Sequence, residues 1–424
     1  MSICDLNGKR VAVLGVGISN RPLVKLLMSA GAELSLFDRK AEALYTYDCQ
    51  KFSGDNYLDS LPNIGAEFIF RSPGVKPFEP KIDTAVSAGA TLTSEMEVFF
   101  DMCPCPIYAV TGSDGKTTTT SILALLLEGA GLKVFKGGNI GTPLLDKFGE
   151  MKPGDAVVVE LSSFQLMTMK KSPRTAVITN LSPNHLDWHR SLEEYIDAKV
   201  NIARFQRENA RLIMNFDNDL SRKTAENYGL NPEWFTKSRL TLNPADIKIR
   251  GEHNLENFLA AVAAAGDLVT PEIVRSVARG FNGVPHRMEL VAEIGGAAYY
   301  NDSIATSPTR TIAGLKTFER KVLLIAGGKP KMPFDELAAV VGDYAKVVLA
   351  FGASQDEIAR AFAGKVDVIS CGTVENAACK ARDLATRGDA IVLSPACTSF
   401  DQFRNFEERG DLFKKTVKEF ENVG

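Results

Sequence analysis

The chain contains a glycine-rich segment whose residue types suit phosphate binding. The segment is TGSDGKT at 111–117, between an apolar run at 107–111, predicted as a strand, and a helical pattern at 118–129. In such a loop backbone N–H groups can surround phosphate oxygens, Lys116 can neutralise their charge, and the Thr117 hydroxyl can coordinate Mg²⁺. A strict phosphate loop also has glycine at position 110, where this chain has Val110, so the match is partial. The alternative is a glycine-rich turn with a capping lysine.

A carboxylate stands at the end of a second predicted strand. The run at 156–160 has three consecutive valines before Glu160. Parallel strands present groups to ligands at their carboxyl ends, so we predict that Glu160 is a second metal ligand. The alternative is an acid that points into solvent. The polar cluster Ser162-Ser163-Phe164-Gln165, which continues the same edge, favours a site.

A lysine interrupts an apolar helix face between Ser191 and Arg207. Lys199 lies seven residues after Leu192 and four before Ala203, where helical spacing predicts an apolar side chain. Burial would lower the pKa of its amine and leave a nucleophile able to react with CO₂. The resulting carbamate is an anion suited to Mg²⁺. The alternative is a lysine that extends from the edge of this face into solvent.

The chain has only four histidines, at 185, 189, 253 and 286. His185 follows the carboxyl end of a strand predicted at 176–180, where a metal or a substrate would lie. We predict that His189 and His253 are packed or hydrogen-bonded residues, because that is the commoner role of a lone histidine.

The N-terminal segment has a strand–turn–helix pattern. An apolar run at 10–15 leads into Gly15-Val16-Gly17 and a helical pattern, and the next predicted strand, at 33–37, is followed by Asp38. This arrangement occurs in dinucleotide-binding units. The third glycine of that motif is replaced by Asn20, so a general phosphate or nucleotide site is favoured over a nicotinamide site.

Alternating strands and helices must position these residues. A second series of predicted strands, at 107–111, 156–160, 176–180 and 212–215, follows a Cys-Pro-Cys-Pro segment that we interpret as a domain boundary. A third series occupies 322–326, 347–351, 366–370 and 390–393. The pattern predicts an α/β protein with mainly parallel sheets covered by helices.

Composition excludes several classes of protein. With 424 residues and a net charge of −3, the chain is long enough for several domains and has no basic excess for nucleic acid. It has no apolar run of membrane-spanning length and no signal-peptide pattern, so we expect a cytoplasmic protein without membrane insertion. We also expect a monomer. Seven cysteines without a CxxC pair indicate reduced thiols.

Together these motifs resemble the Mur ligase family, and the resemblance extends over nearly the whole chain. The matching segments are VLGVGISN (13–20), SPG (72–74), TGSDGKTTT (111–119), GGNIGTP (137–143), ELSSFQL (160–166), NHLDWH (184–189), YIDAK (195–199), GEHNLEN (251–257), VPHRMEL (284–290), NDSIATSP (301–308) and SPACTSFDQFRNFEERG (394–410). The last segment resembles the branch that adds D-glutamate.

This resemblance implies three domains and one reaction. The domains are an N-terminal Rossmann-like domain for UDP (1–95), a central P-loop ATPase with a mainly parallel sheet (96–284) and a C-terminal Rossmann-like domain for the amino acid (285–424). The implied reaction is ATP-dependent addition of D-glutamate to UDP-N-acetylmuramoyl-L-alanine through an acyl phosphate, in peptidoglycan precursor synthesis. The alternatives are a sister ligase or folylpolyglutamate-synthase-like enzyme with another amino acid, a nucleotide-binding regulator and a dehydrogenase.

The resemblance also assigns residues to each ligand, with Lys116, His185 and Lys199 as the catalytic group. For the UDP substrate it implies Ile18, Ser19, Asp38, Arg39, Ser72, Gly74, Asn139, Ser162, Gln165 and His185. For ATP it implies Gly112, Ser113, Asp114, Gly115, Lys116, Thr117, Thr118, Asn254, Asn257, Arg287 and Asp302. For D-glutamate it implies Thr306, Lys331, Ser399 and Phe406. Two Mg²⁺ ions are implied, one held by Thr117 and Glu160, the other by His185 and a carbamate on Lys199.

Overall fold

The computed structural model describes residues 3–186, 188–239, 242–249 and 251–421. The chain divides into two compact units. The first comprises Met1–Asp246 and Glu252–Arg279, and the second comprises Ile247–Gly251 and Gly280–Gly424. The division into three domains stays a prediction.

Five parallel strands near the N-terminus form the first sheet. They are β1 (Arg10–Leu14), β2 (Glu33–Asp38), β3 (Gln50–Ser53), β4 (Phe68–Arg71) and β5 (Thr91–Thr93). Their order is β3-β2-β1-β4-β5, which places the apolar β1 at the centre. The helices of this region are α1 (Asn20–Ser29), α2 (Pro80–Ser87) and α3 (Glu95–Met102). α1 buries Leu23 and Leu27 of the predicted helical pattern, together with Val24, whereas Leu26 of that pattern is half-buried.

A second, six-stranded parallel sheet also belongs to the first unit. Its strands are β6 (Ile107–Thr111), β7 (Val134–Gly138), β8 (Ala156–Glu160), β9 (Thr175–Ile178), β10 (Arg211–Asn215) and β11 (Glu233–Phe235). In the order β11-β10-β9-β6-β8-β7, β6 lies between β8 and β9. The loop after β6 therefore has the carboxyl ends of two other strands beside it, where ligands bind in such sheets.

Six helices accompany this second sheet. They are α4 (Lys116–Gly129), α5 (Ser163–Leu166), α6 (Leu192–Arg204), α7 (Asp219–Asn227), α8 (Glu252–Ala265) and α9 (Pro271–Gly280). Ser191 directly precedes α6, and its side chain accepts a hydrogen bond from the backbone N–H of Glu194 and so caps the helix. α4 follows the glycine-rich loop directly, as the motif requires.

The second unit contains the third sheet. Its strands are β12 (Glu289–Ile294), β13 (Ala297–Asn301), β14 (Val322–Gly327), β15 (Ala345–Phe351), β16 (Asp367–Gly372) and β17 (Ala390–Leu393). The order is β12-β13-β17-β14-β15-β16, with β12 antiparallel to β13 and the other pairs parallel. Its helices are α10 (Pro308–Leu315), α11 (Asp335–Tyr344), α12 (Gln355–Ala361), α13 (Val374–Leu384) and α14 (Phe406–Glu421).

The predicted α/β class with mainly parallel sheets is confirmed. Each strand predicted above is present, with ends shifted by a residue or two; the strand predicted at 176–180, for example, spans Thr175–Ile178. Among the described residues, no helix has both the length and the apolar character needed to cross a membrane.

Candidate functional site

The loop between β6 and α4 has a backbone that only glycine adopts easily. Gly112 has φ +149° and Gly115 has φ +76°. A Cβ atom on Gly112 would lie 1.9 Å from Thr179 Oγ1, and one on Gly115 would lie 2.1 Å from Asn257 Oδ1. Both glycines are therefore required by conformation and by space.

Side chains beyond β9 hold this loop in place. The Ser113 hydroxyl accepts a 2.8 Å hydrogen bond from the Ser182 N–H and shares one of 2.9 Å with the Tyr195 hydroxyl. The N–H of Asp114 donates to Asn180 Oδ1 over 2.9 Å. Tyr195 and Asn180 were not predicted as site residues. The available signals were the place of Asn180 after a buried strand and of Tyr195 one helical turn before Lys199.

Replacing Gly115 with alanine should weaken ATP binding. The left-handed backbone costs a side chain about 1–2 kcal/mol, and the new methyl group would also press on Asn257. We expect a rise of about tenfold in the KM for ATP, measured from initial rates, with a lower Tm. Gly131→Ala is the matched control, because Gly131 has φ +88° with nothing within 4 Å of its Cβ position. An equal KM change in both variants would contradict this explanation.

Two lysines converge on the carbonyl groups of this loop. Lys116 Nζ donates to the carbonyl oxygens of Gly112 and Ser113, each over 3.0 Å. Lys199 Nζ donates to the same Gly112 oxygen over 2.7 Å. A phosphate bound in this loop would therefore lie near the Nζ atoms of both lysines.

Lys199 is enclosed, with 2% of its surface exposed. The helical spacing placed Lys199 on the apolar face, where it is buried, and the alternative of a lysine extended into solvent, which periodicity alone favoured, is wrong. Burial, reinforced by the positive charge of Lys116, holds the pKa of Lys199 well below its usual value, although Asp114 and Glu160 oppose the shift. A lowered pKa increases the neutral fraction of the amine, the form that can react with CO₂.

Glu160 is also enclosed, with 2% of its surface exposed, so the alternative of an acid in solvent is wrong. Its Oε1 accepts a 2.9 Å hydrogen bond from Asn139 Nδ2. Its Oε2 has no hydrogen-bond partner among the described residues. A buried carboxylate oxygen without a donor fits a bound cation, which the buried Thr117 hydroxyl could share.

The donor set restricts what metal could bind. No cluster of three or more His, Cys, Asp or Glu side chains able to hold a metal occurs in the part of the chain that the structure describes. Any ion here would therefore be held by few protein ligands together with phosphate and water. Mg²⁺ is commonly bound in that way.

His185 and Lys199 both lie near the ring of Tyr195. The ring centroid of His185 is 6.4 Å from that of Tyr195 and 5.0 Å from that of Phe164. Lys199 Nζ is 4.7 Å from the Tyr195 ring centroid. His185 is exposed and has φ +54°. This left-handed conformation is unfavourable for a residue other than glycine, so the surrounding structure must hold it.

His189, four residues further on, is packed. It is buried, and its Nε2 shares a 3.0 Å hydrogen bond with Ser163 Oγ. Burial lowers its pKa, with the charge of Glu194 opposing the shift. These contacts agree with the prediction of a structural histidine. His253, the other histidine predicted as structural, lies on α8 and is exposed, so it is not a packed residue.

The ELSSFQL segment forms the short helix α5. Ser162 caps it, because the Gln165 N–H donates to Ser162 Oγ over 3.3 Å and the Ser162 N–H donates to Gln165 Oε1 over 2.9 Å. Both predicted substrate-binding side chains therefore hold each other at the N-terminal end of α5. They follow Glu160 at the carboxyl edge of β8.

The first glycine-rich turn is held by Asp38. Asp38 Oδ2 accepts a 2.7 Å hydrogen bond from the Val16 N–H, and Oδ1 accepts one of 2.9 Å from the Lys40 N–H. Asn20 replaces the third glycine and donates to the Gly15 carbonyl oxygen over 2.8 Å. The turn is thus closed by a side chain, while Ile18, next to it, is 72% exposed.

Other residues predicted for the UDP substrate differ in where they lie and in how far they are exposed. A Cβ atom on Gly15 would lie 2.8 Å from Ser72 Cβ, so the turn packs closely against the SPG segment. Arg39, Gly74 and Asn139 are exposed, and Ser19 is half-buried. The surface around the turn is accessible to a ligand.

A buried carboxyl was not predicted. Glu95, the first residue of α3, is 6% exposed, and its Oε1 has no hydrogen-bond partner among the described residues. Burial, with a smaller contribution from Asp146, raises the pKa of Glu95 to about 8. Little in the sequence indicates this burial, because an acidic residue in the first turn of a helix is ordinarily exposed and interacts with the helix dipole.

Glu95→Gln should change the pH dependence of stability. The pKa is raised on folding, so wild-type stability falls as pH rises from about 4.5 to about 8. Glutamine resembles the protonated side chain and does not ionise. We expect the variant to be more stable by a few kcal/mol near pH 8 and similar near pH 4.5, from urea unfolding at both pH values. A difference independent of pH would contradict burial of an ionising Glu95.

Two asparagines of α8 lie beside the phosphate loop. Asn257 Nδ2 donates to Asn254 Oδ1 over 3.0 Å, and the Thr119 hydroxyl of α4 donates to Asn257 Oδ1 over 3.3 Å. Both predicted ATP-binding asparagines are therefore brought to the helix that follows the loop.

The second unit contains the remaining residues predicted for ATP. Asp302 is buried and accepts hydrogen bonds from Ser394 Oγ over 2.8 Å and from the Met288 N–H over 3.3 Å. Burial raises the pKa of Asp302 to about 7, opposed by these hydrogen bonds. Arg287 is exposed, and its positive charge also opposes the rise in the pKa of Asp302.

The residues predicted for D-glutamate lie on loops and helix ends of the same unit. Lys331 is exposed, Thr306 and Phe406 are half-buried, and Ser399 is buried. Arg409, which was not predicted, organises this region. It is fully buried and donates to Ser303 O over 2.8 Å and to Cys397 O over 3.2 Å. Ser303 Oγ in turn donates to the Phe406 carbonyl oxygen over 2.8 Å.

Comparisons with known proteins agree along the chain. Residues 110–239 match the Mur ligase middle domain, and residues 286–397 match the Mur ligase glutamate ligase domain. The UDP-N-acetylmuramoylalanine–D-glutamate ligase of Ruminiclostridium cellulolyticum is 45% identical, covering 97% of this chain and 97% of that protein. The ligase of the same name from Acetivibrio thermocellus is also 45% identical, covering 98% of this chain and 97% of that protein.

A solved structure resembles the chain in fold. It is the UDP-N-acetylmuramate-alanine ligase of Thermotoga maritima, with a TM-score of 0.54 and 18% identity, covering 98% of this chain and 100% of that one. At this identity the likeness concerns the fold alone.

Proposed function

The chain belongs to the Mur ligase family, and we propose that it joins D-glutamate to UDP-N-acetylmuramoyl-L-alanine with the consumption of ATP. The observation that carries this proposal is the group of side chains at the phosphate loop. Lys116 and Lys199 both bind the Gly112 carbonyl group, and the pKa of Lys199 is held well below its usual value. Glu160, whose charge acts on Lys199, has one carboxylate oxygen without a hydrogen-bond partner among the described residues. The choice of D-glutamate is supported by the 45% identity to ligases of that name over nearly their whole length.

The reaction needs an activated carboxylate, because an amine does not attack a carboxylate ion readily. A carboxylate oxygen of the alanyl group attacks the γ-phosphorus of ATP, the bond to the ADP oxygen breaks, and an acyl phosphate forms. The D-glutamate nitrogen then attacks the acyl carbon, phosphate leaves, and the nitrogen loses a proton. Phosphoryl transfer depends mainly on positioning and charge neutralisation. Lys116 neutralises phosphate charge, and the loop N–H groups orient the phosphates.

The residues of the loop region fit two divalent cations. Thr117 and Glu160 would hold one, and His185 with a carbamate on Lys199 would hold the other. Bound Mg²⁺ would neutralise charge on the transferred phosphoryl group and on the attacking oxygen. The free Oε2 of Glu160 supports the first site, and the buried amine of Lys199 supports the second.

Ligand positions follow from the same assignments. The turn held by Asp38 and the SPG segment would bind the UDP part, while Ser162 and Gln165 would meet the muramoyl-alanine part. D-glutamate would bind near Thr306, Lys331, Ser399 and Phe406, in the second unit. ATP and nucleotide-activated sugars are cytoplasmic metabolites, so we place the enzyme in the cytoplasm, as a step of cell-wall precursor synthesis.

Phosphate release tests this function. Purified protein is incubated with ATP, Mg²⁺ and UDP-N-acetylmuramoyl-L-alanine, with D-glutamate, L-glutamate or no amino acid. We expect release that depends on D-glutamate, and a product heavier than the substrate by one glutamyl residue in mass spectrometry. Release that depends on another amino acid would assign the chain to a sister ligase, and no release with any pair would reject the ligase.

A further inference from the structure

Arg71 is a buried cation that the reaction does not use. It ends β4, directly before the SPG segment, and is 2% exposed. Its Nη1 donates to the Val75 carbonyl oxygen over 2.6 Å and to the Ser72 carbonyl oxygen over 3.3 Å. One side of the guanidinium therefore fixes the loop 72–75, which we assign to the UDP part of the substrate.

The other side of the guanidinium binds the α5 region. Nη2 donates to the Phe164 carbonyl oxygen over 2.7 Å and to Thr168 Oγ1 over 3.1 Å. Phe164 lies between Ser162 and Gln165, the residues assigned to the muramoyl-alanine part. A single planar group thus connects the two segments that would hold opposite ends of one substrate. Lysine, with one nitrogen, cannot reproduce this fork.

A small cavity lies beside this connection. Its volume is about 10 Å³, and it is lined by Arg71, Glu95, Gln165, Ser19, Asn20 and three neighbours. Among the described residues, Arg71 Nε and Glu95 Oε1 are both buried without hydrogen-bond partners. The cavity has space for about one water molecule, and such a water would satisfy a donor and an acceptor together.

We propose that Arg71 is a positioning residue for the UDP-linked substrate, which sets the spacing between the loop 72–75 and α5, and that an ordered water joins it to Glu95. The inference rests on the proposed function, because it assigns both segments to one substrate. Arg71 acts through backbone carbonyl groups and the Thr168 hydroxyl, and it touches no reacting atom. Its loss should therefore raise the dissociation constant of the UDP substrate through lost preorganisation and leave ATP binding unchanged.

Two substitutions test this role with different severity. Arg71→Lys removes the fork, and Thr168→Val removes one acceptor while it keeps the shape of the side chain. Arg211→Lys is the matched control, because Arg211 also binds two helix carbonyl oxygens, of Ala264 over 3.1 Å and Ala263 over 2.7 Å. It lies at the start of β10, the end opposite to the ligand-binding edge.

Calorimetry then gives the dissociation constants of UDP-N-acetylmuramoyl-L-alanine and of ATP for each protein. We expect the dissociation constant of the UDP substrate to rise about tenfold in Arg71→Lys and about threefold in Thr168→Val. These changes correspond to the loss of hydrogen bonds that involve a charged group. The value for ATP should stay within about twofold in all variants, and Arg211→Lys should change only the Tm. A kcat unchanged at saturating substrate would accompany this result.

Equal weakening of both ligands, or no change in Thr168→Val, would overturn the inference, even if Arg71→Lys does not fold. The wild-type protein separates this failure from that of the proposed function. If the wild type shows D-glutamate-dependent turnover but the variants bind ATP and the UDP substrate equally weakly, only the role of Arg71 is rejected. A wild type that does not bind the UDP substrate rejects both.

Discussion

The Lys199→Ala variant should lose D-glutamate-dependent phosphate release by about 10³-fold or more, the effect of several kcal/mol lost from charge stabilisation at a metal site. Lys199 is buried, its pKa is held well below the usual value, and its Nζ touches the carbonyl group of Gly112. A carbamate at this position would add a carboxylate-like group beside the phosphate loop. Alanine would remove that group together with the amine.

Chemical rescue separates a carbamate from a structural lysine. Added formate or acetate should restore part of the lost activity in Lys199→Ala, because a small carboxylate can occupy the space that the side chain leaves. Lys199→Arg should remain inactive, since a guanidinium forms no stable carbamate. Lys223→Ala, at an exposed lysine of α7, should keep the wild-type rate. Wild-type activity in Lys199→Ala without rescue agents would exclude the carbamate.

The same residue illustrates what the sequence predicts well. Position 199 lies on the apolar face of a helix whose period is local, so the burial of its amine follows from residues within one or two turns. Glu160 is similar, because three valines before it indicate a buried strand and its carboxyl end. The burial of both side chains follows from neighbours in sequence, whereas their roles at a metal stay predictions.

Residues that act over long sequence distances were missed for a physical reason. Arg71 binds Phe164 and Thr168, more than ninety residues away in sequence, and Asn180 binds the loop at Asp114. No local period encodes such a contact. An arginine at the end of a strand is ordinarily exposed, so its burial becomes visible only when β4 and α5 are placed together.

Short edge strands were missed for the opposite reason, because they lack a pattern. β3 spans Gln50–Ser53 and is largely exposed, so it contains no apolar run. β12 is half-buried along its length and pairs antiparallel at the edge of its sheet. Most central strands have the continuous apolar runs from which strands are predicted, but β4 and β13, which are internal and largely buried, were also missed.

Glu160→Gln should separate stability from activity. In the protein without metal, Glu160 is a buried carboxylate whose Oε2 has no hydrogen-bond partner among the described residues. Glutamine keeps the shape and removes the charge, so the metal-free variant should be more stable than wild type by about 1–3 kcal/mol. Activity should fall by about 10²-fold or more, because an Mg²⁺ ion held by Thr117 and Glu160, as proposed, would lose its charged protein ligand.

The opposite signs make this prediction specific. If Glu160 served only to fix Asn139, whose Nδ2 donates to Oε1, glutamine could still accept that hydrogen bond and the rate would change little. If Glu160 holds a cation, Mg²⁺ should raise the Tm of wild type in the presence of ADP and leave that of Glu160→Gln nearly unchanged. Thermal unfolding of both proteins with and without Mg²⁺, beside initial rates over a range of Mg²⁺, measures both effects. A variant with wild-type rate and wild-type Mg²⁺ dependence would remove Glu160 from the metal site and leave it as a support for the loop at Asn139.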